Sequence, residues 1–157
     1  MAEVPSAPAT INLKYDQYSL NYIEGKPVYV FYVRCVDYVA LPTEANVRST
    51  SESAPYKSMR ATLVEEPEMF FFKNGGINVI AEDVDLNAAQ KIAKLSFCKD
   101  YGILNGGHTQ KAILDTKEQD DIGQDAIVRV EVIKWSIGNR QIADLASAKN
   151  SASKVKE

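Results

Sequence analysis

The sequence predicts an α+β (mixed α/β) domain in which helices flank one central mixed sheet. Apolar runs rich in β-branched residues, typical of strands, alternate along the chain with segments of helical periodicity. The chain has 157 residues, of which 45% are hydrophobic and 25% charged, and these values suit one domain with its own core.

The N-terminal half predicts two strand regions, a loop and a short helix. Residues 11–22 alternate apolar and polar side chains, and residues 28–34 form a continuous apolar run typical of a strand covered on both faces. Residues 41–58 are polar and contain two prolines, so we expect a long surface loop there. Residues 58–66 then have the pattern of a short helix.

Three consecutive phenylalanines, residues 70–72, lie in a second helical turn that starts at Pro67 and ends in the segment Lys73-Asn74-Gly75-Gly76. Because aromatic side chains favour burial, we expect these phenylalanines in the core. Stacking on nucleic-acid bases is the alternative role for them.

The middle of the chain predicts a hairpin and then a strand that leads into a helix. Residues 77–81 have a strand pattern, residues 93–98 are the expected hairpin partner, and residues 83–91 are the polar connection. Ile103 and Leu104 form a short strand, and the helix after them runs from His108 to about Lys117.

The C-terminal part predicts one more strand and one more helix. Residues 126–135 alternate most regularly, and Asn139 can cap the final helix. We therefore expect a flexible lead-in over residues 1–10, a single domain over residues 11–150, and a polar tail over residues 151–157.

The glycine turn Asn105-Gly106-Gly107-His108-Thr109 has the composition of an anion-binding site. Glycines permit positive φ angles and let backbone N–H groups approach a ligand. The helix that starts at His108 or Thr109 points its first-turn N–H groups and the positive end of its dipole at the same place. A phosphate group fits this arrangement, although glycine pairs between a strand and a helix are also common turn chemistry.

Charge and cysteine content exclude several classes of protein. A net charge of -3 and a pI near 5.3 argue against a broad nucleic-acid-binding surface. Cys35 and Cys98 lack metal-ligand spacing and histidine neighbours, so we expect reduced thiols and no metal site. Because no stretch approaches the roughly 20 apolar residues that cross a bilayer, we expect a cytoplasmic protein without membrane contact.

Three segments, in this order, resemble the abortive-infection phage-resistance (AIPR) family, and specifically its N-terminal part. They are Asn46-Val47-Arg48, the run Pro67-Glu68-Met69-Phe70-Phe71-Phe72-Lys73-Asn74-Gly75-Gly76-Ile77, and the run Ile103-Leu104-Asn105-Gly106-Gly107-His108-Thr109. Residues 142–151 are similar to the family's helix and the Asn-Ser/Thr-Gln-Asn sequence that follows it. The resemblance covers most of residues 28–153.

The chain departs from the family pattern at two positions in these segments. Gly75 stands where the family has a second asparagine, and His108 stands where it has a glutamine. The family continues into a further helical region, so the resemblance implies a shortened member or a fragment. More remotely, the strand, glycine turn and helix are similar to those of the ParB/sulfiredoxin superfamily. In that superfamily this turn holds nucleotide phosphates, and an arginine stands at the position of Thr109.

These resemblances imply a nucleotide- or phosphate-binding domain of a phage-resistance protein, with ATP, CTP or GTP as ligand, Mg²⁺ as an optional cofactor and weak NTPase or nuclease activity left open. His108 is the one candidate catalytic residue, but phosphate contact ranks above proton transfer because no carboxylate partner is identifiable. The expected ligand-binding residues are Asn105, Gly106, Gly107, His108 and Thr109, with Asn74 and Gly76 opposite and with Arg48 and Lys73 supplying positive charge.

The alternative is a non-catalytic protein- or nucleic-acid-interaction module in which the glycines only turn the chain. The acidic pI makes a protein a better partner for such a module than a nucleic acid.

Overall fold

In the computed structural model, residues 3–45, 54–119 and 122–154 are described, with side chains to residue 150. Eight strands in this part of the chain form two sheets. The strands are β1 (Ala9–Lys14), β2 (Gln17–Ile23), β3 (Lys26–Arg34), β4 (Ile77–Ala81), β5 (Asp83–Asn87), β6 (Ile92–Phe97), β7 (Gly102–Asn105) and β8 (Ile127–Lys134).

The larger sheet has five strands in the order β2-β3-β8-β4-β7, and the smaller has three in the order β1-β6-β5. In the larger sheet β4 runs parallel to β8 and the other neighbours are antiparallel. The α+β class and the mixed character of the main sheet are therefore confirmed. The larger sheet is the central mixed sheet that was expected, and β1, β5 and β6 form a second sheet that the sequence did not predict.

The predicted hairpin exists, but it lies one strand later than expected. β6 pairs with β5 and β1 and makes no ladder with β4. The residues expected as a polar connection contain β5, and a tight turn joins it to β6, where Asn87 Oδ1 accepts the Gln90 N–H at 3.1 Å. A short connection makes such a local pairing favourable, so the expected partner of β4 was wrong.

The centre of the larger sheet alternates rather than being covered on both faces. Phe31 and Val33 of β3 are buried, whereas Val30 and Tyr32 on the other face are half-buried. β8 alternates in the same way, with Val130 buried between half-buried neighbours. We call the half-buried side the outer face of the five-stranded sheet.

Four α-helices accompany the sheets in the described residues: α1 (Ala54–Glu65), α2 (Phe70–Lys73), α3 (Gly107–Glu118) and α4 (Asn139–Lys154). α1 packs against α3, α2 against β8, and α4 against β7. A 3₁₀ turn at Pro67–Met69 leads into α2. β1 begins within the expected lead-in, and α4 continues into the expected tail.

The segment expected as a surface loop is partly core. Leu41 and Ala45 are buried, and residues 54–58 belong to α1, so the expectation of a surface loop was wrong at these residues. The local sequence is polar, but Leu41 is held inside the protein by two hydrogen bonds to the side chain of Gln110 in α3. Asn46 and Arg48 are outside the described residues.

The three phenylalanines do not share one environment. Phe70 is buried, Phe71 is half-buried, and Phe72 is 75% exposed. Successive residues of a helix point about 100° apart, so three in a row cannot all face one core. The expectation of a core position was wrong for Phe72.

Candidate functional site

The glycine turn connects β7 to α3 through one residue with left-handed backbone geometry. Gly106 has φ of 105° and precedes Gly107, the first residue of α3. A Cβ atom at Gly106 would lie 2.8 Å from both the Gly76 carbonyl oxygen and the Ile77 Cα. Only glycine fits there, because both the φ angle and the close approach exclude a side chain.

Gly76 also lies close to a neighbouring backbone, that of Arg129 in β8. Its φ is 92°, and a Cβ atom would lie 2.5 Å from the carbonyl oxygen of Arg129 in β8. The segment before β4 thus lies between two backbones. It packs against β8 at Arg129 and against the glycine turn at Gly106. The structure brings together the two segments that the sequence placed opposite one another.

Asn74 and Thr109 fasten these two segments to each other. Asn74 Oδ1 accepts the Gly76 N–H at 2.8 Å, and Asn74 Nδ2 donates to Thr109 Oγ1 at 3.2 Å. Met59 of α1 completes the contact, with its sulfur 3.1 Å from Asn74 Nδ2. Thr109 is buried, so its hydroxyl holds the two segments together inside the protein.

Lys73 and Arg48 are the two cations that were expected at the site, and only Lys73 lies within the described residues. Lys73 Nζ forms an ion pair with Glu66 at 2.8 Å, and both side chains are exposed. Arg48 lies outside the described residues. Asn105 and His108 are half-buried on either side of Gly106 and Gly107.

Gln110 is a structural residue that the sequence analysis missed. Its side chain is 2% exposed, donates from Nε2 to the Leu41 carbonyl at 3.1 Å, and accepts the Leu41 N–H at 2.9 Å. The Tyr38 hydroxyl also donates a hydrogen bond to Gln110 Oε1. The available signal was a polar residue on the face of α3 that carries Ile113, a position that calls for a buried partner.

A charged cluster joins α1 to the outside of α3. Asp115 accepts hydrogen bonds from Tyr56 at 2.5 Å and Lys111 at 2.8 Å. Burial by itself raises the pKa of the Asp115 carboxyl, but these two hydrogen bonds, together with the positive charges of Lys111 and Arg60, outweigh burial and leave its pKa below the usual value. This cluster is explained by helix packing.

Three further findings bear on metal binding, thiol reactivity and membrane spanning. Among the described residues, no group of three His, Cys, Asp or Glu side chains could hold a metal ion. Burial raises the pKa of the Cys35 thiol to about 12, so Cys35 stays protonated at neutral pH and is a poor nucleophile. Within the same residues, no helix has the length and apolar character needed to span a membrane.

A model of the family described as AIPR protein matches residues 43–157, which is more than half of the chain. The chain belongs to the AIPR family. No curated protein and no solved structure matches it, so the remoter resemblance to the ParB/sulfiredoxin superfamily has no support.

The AIPR match contains both segments of the site and all four helices. The matched region starts after β3. Residues Val28 to Arg34 of β3 nevertheless pair with β8 and form its antiparallel neighbour in the sheet. Residues before the matched region therefore complete the sheet that carries the candidate site.

Proposed function

We propose that this AIPR protein binds a nucleotide, or another ligand with a phosphate group, at the first turn of α3, and that it acts in abortive infection as a phage-resistance protein. The family supports the phage-resistance role. The observation that carries the ligand proposal is the turn at Gly106, where a left-handed glycine places bare backbone at the start of a 12-residue helix.

The physical support comes from the backbone rather than from side-chain charge. The N–H groups of the first turn of a helix have no acceptor within that helix, and the helix dipole places partial positive charge at the same end. Gly106 and Gly76 carry no Cβ beside this turn, and the Asn74 to Thr109 hydrogen bond holds the two segments in place. A phosphate oxygen is the acceptor that suits such a turn.

His108 has a contact role in this proposal. It lies in the first turn of α3, where an imidazole N–H can donate to a phosphate oxygen. One hydrogen bond to a charged oxygen contributes about 1.5–3 kcal/mol, which corresponds to at least about tenfold in affinity.

Calorimetric titration with ATP, CTP and GTP tests the proposal. We expect at least one of them to bind, and His108→Ala to weaken that binding about tenfold or more. His108→Gln is the matched control, because glutamine keeps a side-chain N–H donor, so its affinity should stay within a few-fold of the wild type.

Two outcomes would count against this function. Equal affinity in the wild type and in His108→Ala removes His108 from the site. If no nucleotide binds but DNA is retained in gel shifts at physiological salt, the interaction module becomes the better interpretation.

A further inference from the structure

A row of polar side chains crosses three neighbouring strands on the outer face of the five-stranded sheet. Glu131 of β8 pairs with Asn78 of β4, and Asn78 pairs with Asn105 of β7. Residues directly opposite each other in a ladder share a face of the sheet. The row therefore runs from the centre of the sheet to Asn105, the residue immediately before the glycine turn.

A β-bulge produces the last step of this row. The register shifts between Asn78 and Val79, so that Asn78 faces Asn105 whereas Val79 faces Ile103. Leu104 is the extra residue, and it moves Asn105 onto the face that carries Asn78. Without the bulge, strict alternation would place Asn78 and Asn105 on opposite faces.

Arg129 adds positive charge beside this row. Its Nη1 lies 3.2 Å from Glu131 Oε1, and the two side chains are 36% and 21% exposed. Both residues lie in β8, the middle strand of the sheet, and Gly76 packs directly against the Arg129 backbone. The guanidinium of Arg129 is therefore held beside Glu131 on the outer face and is partly open to solvent.

Aromatic rings continue the same surface beyond Arg129. Tyr32 is the ladder partner of Arg129, its ring lies 5.8 Å from the ring of Phe71, and Phe71 lies 5.4 Å from Phe72. Phe72 is the large hydrophobic residue with the highest exposure in the described part of the chain. Exposed aromatic faces beside a cation are typical of sites that stack a nucleic-acid base.

We infer that the ligand of this protein is a nucleotide whose phosphates lie between the first turn of α3 and Arg129, with its base on Phe71 and Phe72. This inference rests on the proposed function and adds the class of ligand and the residues that select it. Arg129 binds phosphate, and Glu131 orients its guanidinium. The side-chain amides of Asn78 and Asn105 donate hydrogen bonds to the phosphates between Arg129 and α3. Two strand spacings, about 10 Å, separate β7 from β8, a span that a triphosphate can bridge.

The test compares ATP with inorganic tripolyphosphate, each titrated calorimetrically into the wild type and into single variants. Arg129→Gln should weaken both ligands at least about tenfold, because charge-assisted hydrogen bonds to phosphate are lost. Phe72→Leu should weaken ATP about fivefold or more and leave tripolyphosphate unchanged, because only ATP has a base to stack.

Two matched controls separate these effects from general changes in the sheet. Lys134→Gln removes a cation of similar exposure from the same strand but from the opposite face, where it pairs with Asp83. Tyr22→Leu removes an exposed aromatic ring from β2, which is at the far edge of the sheet from β7. Both controls should bind ATP as the wild type does.

The outcomes distinguish this inference from the function on which it rests. If the wild type binds neither ATP nor tripolyphosphate, both proposals are overturned. If it binds both equally well, and Arg129→Gln matches Lys134→Gln, the binding site at α3 stands and the outer-face site is overturned. If Arg129→Gln does not fold, the Phe72→Leu comparison decides, since Phe72 is 75% exposed and its replacement leaves the core intact.

Discussion

At the scale of single residues, the adjacent glycines Gly75 and Gly76 have different roles. A Cβ at Gly75 would meet no atom within 4 Å, whereas one at Gly76 would lie 2.5 Å from the Arg129 carbonyl oxygen, and the φ of Gly76 is 92°. The sequence could indicate a turn at this glycine pair. It could not tell which glycine is required, because the clash is with Arg129 of β8, which lies far along the chain from Gly76.

We therefore expect Gly76→Ala to lower the free energy of unfolding by about 3 kcal/mol, since alanine is strained at positive φ and has no space. Gly75→Ala should change it by less than about 0.5 kcal/mol. Urea denaturation of the two variants and the wild type measures both values. Similar losses in the two variants would mean that the close packing of Gly76 on β8 is not what requires glycine.

At the scale of elements, regular periodicity predicted β8, β4 and α3 with bounds close to those observed, and it predicted the start of α4 but not its end. The errors fell where a contact distant in sequence decides the structure. Leu41 looked like part of a polar loop, but Gln110, 69 residues away, binds both its N–H and its carbonyl group. The outer-face row was missed for the same reason, since it depends on strand order and on a bulge in β7.

Gln110 should stabilise the contact between α3 and the chain after β3. In Gln110→Leu, the N–H and carbonyl of Leu41 and the hydroxyl of Tyr38 lose a buried partner. Unpaired buried polar groups cost about 1–3 kcal/mol each, so we expect a total loss of at least about 2 kcal/mol in urea denaturation. Gln124→Leu, at an exposed position, is the control and should be near neutral. A stable Gln110→Leu protein would show that these groups find other partners.

At the scale of the whole molecule, the two sheets share one hydrophobic core. Leu13 and Leu95 of the smaller sheet belong to the same buried cluster as Phe31 and Val130 of the larger one. The sequence predicted one domain but not the division into two sheets, because local pattern shows strands without showing their partners. We propose that residues 11–150 unfold as one cooperative unit, as expected of a domain with a contiguous core.

Leu95→Ala tests this cooperativity from the side of the smaller sheet. Leu95 is fully buried in β6, and replacing a buried leucine by alanine costs about 2–5 kcal/mol through lost apolar contact and the cavity that remains. Trp135, the only tryptophan of the chain, follows β8 and donates its backbone N–H to the Ala81 carbonyl at 3.1 Å, so its fluorescence reports on the larger sheet.

If the sheets form one unit, Leu95→Ala shifts the fluorescence transition of Trp135 and the circular dichroism transition by the same amount in urea, because both probes then follow a single loss of structure. Leu20→Ala is the matched control on β2, where the leucine is 37% exposed and its truncation should cost less than about 1 kcal/mol. A Trp135 transition that stays at the wild-type midpoint, while circular dichroism records an earlier loss, would mean that the smaller sheet unfolds by itself. In that case the five-stranded sheet, with α3 and the polar row on its outer face, would be the unit that folds and carries the site.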